Sequence, residues 1–83
     1  MKAIVKVVGI GERRKGVSTK TGKFYDFVKV ACTFDDGYMA GQNAFNCSVD
    51  GDEIDRNGVV VGGEYEAVIA YRNYQPTIVC FIG

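Results

Sequence analysis

Five basic residues, Arg13, Arg14, Lys15, Lys20 and Lys23, crowd into residues 11–25 with Glu12 as the only acid among them. Guanidinium and ammonium groups at this density neutralise phosphates and release condensed counterions when they do so. The run continues into a segment whose alternation puts Tyr25, Phe27 and Lys29 on one side. Aromatic faces beside cations are what stacking on unpaired nucleobases requires. Tyr25 is the better stacking candidate, because a phenol favours partial exposure. Phe27 shares its face, although a core position is the more common fate of a phenylalanine in a strand. Tyr38, after the strand, and Tyr74, near a later turn, are further aromatics placed where chains expose them. These ten residues are the candidate contacts: Arg13, Arg14, Lys15, Lys20, Lys23, Tyr25, Phe27, Lys29, Tyr38 and Tyr74.

A zero net charge conceals this bias. Residues 1–29 hold eight basic residues and two acids, a net of +6, and residues 30–83 hold two and eight, a net of −6. Binding responds to the local field, so a neutral total is compatible with a basic face. The bland reading of the split is solubility, or attraction between the two halves.

Other chemistries are excluded by residue type or spacing. The chain has no histidine, so imidazole acid–base catalysis and histidine metal ligation are impossible, and no nucleophile has an evident base. The segment 16–23, GVSTKTGK, is similar to a phosphate-binding loop but has five residues between its glycines where four are needed. Phe24 also stands where a hydroxyl would reach magnesium, and no helix follows. The acids Asp50, Asp52, Glu53 and Asp55 lack the glycine and terminal glutamate of a calcium loop. No enzymatic activity and no cofactor are expected.

The elements that must position the candidate contacts read as strands. Residues 2–10 put Ala3, Val5 and Val7 on one face and Lys2 and Lys6 on the other. The basic segment, with Gly11, Gly16 and Gly22, reads as a flexible loop. A second strand, about 23–34, carries Val28, Val30, Cys32 and Phe34 on its apolar face, with Tyr25, Phe27, Lys29, Ala31 and Thr33 opposite. Asp36-Gly37 marks a hairpin turn. A third strand, about 42–49, has Asn43, Phe45, Cys47 and Val49 on one side, the alternation of a half-buried strand. Residues 50–63 are irregular, with room for one helical turn around Glu53–Arg56. A fourth strand, 64–72, aligns Tyr65, Ala67, Ile69 and Tyr71. A fifth, 77–82, is continuously apolar, which predicts cover on both faces. Five short strands in so short a chain predict an all-β fold, a small five-stranded OB-fold-like barrel, with an SH3-like barrel as the alternative.

The bulk properties agree with one folded domain spanning 1–83. So small a core favours oligomerisation. Three cysteines without a CxxC spacing read as free thiols in a reducing compartment. Met1–Ile10 alternates lysine with apolar residues rather than forming the compact apolar segment of a signal peptide, and no run approaches the ~20 residues of a membrane span. A cytoplasmic protein is expected, with no membrane partner.

The run 14–27, RKGVSTKTGKFYDF, resembles the DNA-binding loop of the filamentous-phage gene V type single-stranded DNA-binding proteins, which carry R-x-G-V-S followed by G-K-P-Y in a chain of similar length. The later run 61–74, VGGEYEAVIAYRNY, is similar to their glycine-tyrosine strand leading to a protruding hairpin. The resemblance implies an OB-fold, a homodimer, and cooperative coating of single-stranded DNA with little sequence preference during replication or packaging. It places Arg14, Lys23 and Tyr25 at DNA-contacting positions, Lys20 at a basic loop position, Phe27 at an apolar one, and Tyr74 on the dimer-axis hairpin. Phe24 stands where the family has proline, and the loop is one residue longer. RNA in place of DNA is equally compatible with stacking aromatics. The competing expectation is a small β-barrel interaction module that binds protein through the Tyr71–Pro76 hairpin or a strand edge.

Overall fold

The computed structural model describes residues 1–35, 37 and 40–82. Five strands and one helix follow in order: β1 (Lys2–Val17), β2 (Phe24–Phe34), β3 (Asn43–Asp50), α1 (Gly51–Asn57), β4 (Glu64–Arg72) and β5 (Gln75–Phe81). All pairings are antiparallel, in the sheet order β3-β2-β1-β4-β5. The sheet curls until β3 packs against β5, where the Cys47 thiol meets the Ile78 backbone and the Thr77 side chain. The result is a small, nearly closed all-β barrel with a short helix between the third and fourth strands, the arrangement of an OB-like barrel.

Curvature comes from β1. Its first residues, Lys2–Lys6, pair with β4, and from Lys6 onward it pairs with β2. Two register shifts, between Val7 and Gly9 and between Ile10 and Arg13, let it turn from one neighbour to the other. An extra residue on one strand bends it and increases its twist. Gly9 and Gly11 sit at these bends, and Gly11 leaves room for the Lys29 carbonyl, 3.3 Å from where a Cβ would stand.

The apolar faces read from sequence meet inside the barrel. Val5, Val7, Val28, Val30, Cys32, Phe34, Ala67 and Ile69 are almost wholly enclosed. Removing such a valine or isoleucine from water contributes about 1.5–3 kcal/mol. Phe34 and Phe45 meet edge to face at 5.5 Å, and Tyr65 and Phe81 do so at 5.7 Å. Tyr65 also ties the helix exit to β4: its hydroxyl accepts from the Val60 N–H (2.8 Å) and donates to the Gly58 carbonyl (3.2 Å).

Three expectations change. The segment 11–17 is not a loop but the distal half of β1, which pairs with β2 up to Val17 opposite Phe24. Its glycines and charges hide a ribbon that projects beyond the barrel, where no apolar alternation is required. The helical turn expected around Glu53–Arg56 is a seven-residue helix ended by Gly58 in the left-handed region. The fifth strand is not covered on both faces: Val79 is 56% exposed, because the outer face of β4 and β5 carries no second layer among the described residues.

Candidate nucleic-acid interface

The candidate site is built on the projecting β1–β2 ribbon. Cross-strand partners share a face, so the register decides which basic residue meets which aromatic. Arg14 stands opposite Phe27, and Gly16 opposite Tyr25. The missing side chain at Gly16 lets the tyrosine ring lie across β1: a Cβ there would sit 2.7 Å from the Tyr25 hydroxyl oxygen. Tyr25 and Phe27 rings are 5.9 Å apart and tilted by 39°. Tyr25 is 41% exposed, and Phe27 is half-buried.

Arg14, Tyr25 and Phe27 line an open groove of about 500 Å³ with Val17, Ser18, Thr19 and Lys20. A second hollow of about 480 Å³ shares Arg14 and Phe27 with the first and adds Gly11, Glu12, Lys29 and Ser48. A third, of about 210 Å³, shares Ser48 with the second and runs past Asp50 and Arg72 to Thr77 and Val79 on β5. Through these shared residues the three hollows follow one another as a depression that leads from the ribbon tip toward the β4–β5 hairpin.

The tip is ordered by its own hydroxyls. Ser18 Oγ accepts from the N–H groups of Lys20 and Thr21, both at 3.3 Å. Ser18 N–H donates to the Lys23 carbonyl (2.9 Å), and Gly22 N–H to the Ser18 carbonyl (2.8 Å). Gly22 has φ 69°, which glycine adopts without cost. The turn thus presents Lys20 from a closed six-residue loop rather than from a flexible one.

The ten expected contacts separate. Arg14, Lys20, Tyr25 and Phe27 come together in the first groove, and Lys29 joins Arg14 and Phe27 in the second. Arg13 does not join them. It lies on the opposite face, donating from Nε and Nη2 to the two Asp26 oxygens (2.8 and 2.7 Å) and from Nη1 to Asp55 Oδ1 (2.9 Å). This places it over the start of α1, where Gly51 has no room for a side chain. Lys15 is paired in register with Asp26 on that same face. Its charge is one of the influences that hold the Asp26 carboxyl below its usual range; the largest is the hydrogen bond from Arg13, opposed by desolvation. Lys23 is exposed at the end of the turn and lines neither groove. Tyr74 is fully exposed at the two-residue β4–β5 turn, where it and Asn73 both have positive φ, the backbone of a type I′ hairpin. Tyr38 lies outside the described residues.

Glu12, Ser18, Ser48 and Arg72 are among the lining groups that escaped the sequence reading. Strand alternation places Ser48 beside Lys29 once β2 and β3 are paired in register. The others depend on a bulge, a turn and a distant hairpin. Among the described residues, Arg14, Lys20, Lys23, Lys29 and Arg72 form no ion pair, so their charge faces solvent. No group of metal-ligating side chains is assembled among the described residues, and no helix is long and apolar enough to cross a membrane.

The fold and groove define a small OB-like barrel with an aromatic, basic surface. Comparison of the chain with protein-family models, with curated proteins and with solved structures found no match in any of the three.

Proposed function

We propose that this protein binds single-stranded DNA with little sequence preference, coating it during replication of a phage or mobile element. The observation that carries the reading is the Tyr25–Phe27 ring pair set beside Arg14 and Lys20 in one open groove. Stacked rings accept any base, and unpaired cations alongside hold the backbone. The groove lies on the β2–β3 face and the β1–β2 loop, the surface that OB-folds use for oligonucleotides. Likeness of residues 14–27 to the gene V type DNA-binding loop points the same way, and with it to a homodimer working in the host cytoplasm. RNA fits the same groove, and its 2′-hydroxyls are the discriminating contacts.

Titrating tyrosine fluorescence with a thymidine oligomer at several salt concentrations tests this. The expected result is quenching that weakens steeply as salt rises. Absence of quenching at low salt sinks the reading.

The second reading, a protein-binding module, is favoured by one observation: Tyr74 is fully exposed on a tight hairpin beside exposed Tyr71. It requires a protein partner lost on Tyr74→Ser, and no salt-dependent oligonucleotide binding.

A further inference from the structure

The second hollow differs in kind from the first. The first offers hydroxyls, cations and two rings, none of which distinguishes one base from another. The second is lined by Glu12, an acid among cations, together with Ser48, Lys29, Arg14, Phe27 and Gly11.

Glu12 is brought there by the β1 bulge. Between Ile10, opposite Val30, and Arg13, opposite Val28, two residues of β1 stand against Lys29 alone. Bulges re-aim side chains, and this one puts Glu12 on the groove side together with Arg14. Glu12 and Arg14, two residues apart, share a side by ordinary alternation, and the bulge sets that side opposite to Ile10, which packs on the core. Glu12 is not consumed by its neighbours: among the described residues it forms no ion pair, nor do Arg14 and Lys29. A carboxylate on a phosphate track weakens backbone binding, so its placement makes chemical sense where a base edge is presented instead. Carboxylates accept from exocyclic amines, as they do from cytosine N4.

Building on the single-strand reading, we infer that this hollow is a nucleobase pocket that prefers cytosine to thymine. Phe27 supplies the apolar wall for the ring, and Gly11 leaves the floor open. Glu12 accepts from the 4-amino group of cytosine, and Lys29 donates to its 2-carbonyl. Thymine carries a carbonyl at position 4, which sets acceptor against acceptor. Coating remains sequence-tolerant at Tyr25, with one position of preference beyond it.

The test is a parallel titration of cytidine and thymidine deoxy-12-mers at pH 7.5 and fixed salt, with the wild-type chain and Glu12→Gln. The glutamine is nearly isosteric and turns its amide to face either base. The wild type is expected to bind the cytidine oligomer about five- to tenfold more tightly, and Glu12→Gln to bring the ratio near one. Equal wild-type affinities overturn the inference while leaving the single-strand reading intact. A cytidine preference that survives Glu12→Gln, or a variant that gains equally on both oligomers, also overturns it, since Glu12 would then act only through its charge. Binding to neither oligomer at low salt overturns the single-strand reading and this pocket with it.

Discussion

Arg13 holds Asp26 through two parallel hydrogen bonds, of 2.8 and 2.7 Å, on the face of the β1–β2 ribbon opposite Arg14. Two adjacent arginines therefore do different work. The fork of a guanidinium matches a carboxylate, and such a pair fixes geometry as well as charge. Arg13 also reaches Asp55 on α1, so it clamps the projecting ribbon to the helix, while Arg14 lines the groove and forms no ion pair among the described residues.

Substitution separates the two roles. Arg14→Ala is expected to weaken single-strand binding at every sequence and to lower the salt slope of log K by roughly 1. Arg13→Ala is expected to leave that slope unchanged and to lower the midpoint of thermal unfolding. Titrations at three salt concentrations and a melting curve for each variant read both effects. Equal salt slopes for Arg14→Ala and wild type would remove Arg14 from the track.

The same pair sets an acid dependence. Asp26 is held below the ordinary carboxylate range, first by the hydrogen bond from Arg13 and then by the charges of Arg13 and Lys15, against desolvation. A carboxyl with a depressed folded-state pKa stabilises above its unfolded value, about 3.9, and that contribution disappears as pH falls through the lower folded value. Stability should therefore drop below about pH 4 in the wild type. Asp26→Asn should already be destabilised at pH 7 and show a shallower acid loss, measured by urea unfolding between pH 7 and pH 2.5.

The three thiols should react unequally. Cys32 is enclosed, and its thiol is pushed up to about 12 by burial and then by Cys47. Burial also raises Cys47, against hydrogen bonds from Ile78 and Thr77. Cys80 is only half-buried. Thiolate, not thiol, attacks, so a colourimetric disulfide reagent at pH 8 should titrate one thiol in the folded protein and three after denaturation. Cys80→Ser should abolish the native-state reaction. Rapid reaction of all three would contradict this packing.

Gly16 tests the seating of the tyrosine. A methyl group there would meet the Tyr25 hydroxyl oxygen at 2.7 Å and the ring carbon that bears it at 2.9 Å. The far end of Tyr25 is exposed and swings away, so Gly16→Ala should cost little stability. It should nevertheless weaken oligonucleotide binding severalfold and reduce the tyrosine quenching. Unchanged binding would mean that the ring's position over β1 is irrelevant.

Much of this architecture was legible from the residues. The alternations Val28-Val30-Cys32-Phe34 and Phe45-Cys47-Val49 are those of strands with one face in a core, and both faces are buried. Tyr25, Phe27 and Lys29 share the other face of β2, as period-two spacing requires. What stayed hidden was the reach of β1. A strand read from apolar alternation ends at Ile10, but a ribbon that leaves the barrel is held by backbone pairing and needs no apolar side. With Arg14 and Lys15 read as loop residues, their opposite faces could not be assigned. Arg13 finds Asp26 thirteen residues away and Asp55 forty-two away, partnerships set by the register and the helix rather than by local pattern. Glu12 was obscured by the bulge, which breaks the alternation on which face assignment depends. Arg72 became part of the depression only once β5 closed against β3.

The single-strand track is tested most directly by fluorescence anisotropy of a labelled thymidine 12-mer and of a duplex of equal length, titrated with wild type and Tyr25→Ala at low salt. The wild type should favour the single strand, and Tyr25→Ala should lose about 1–3 kcal/mol on it, the value of one stacked base, while its weak duplex binding stays the same. Equal wild-type affinity for both nucleic acids, or full single-strand affinity without the Tyr25 ring, would contradict the account.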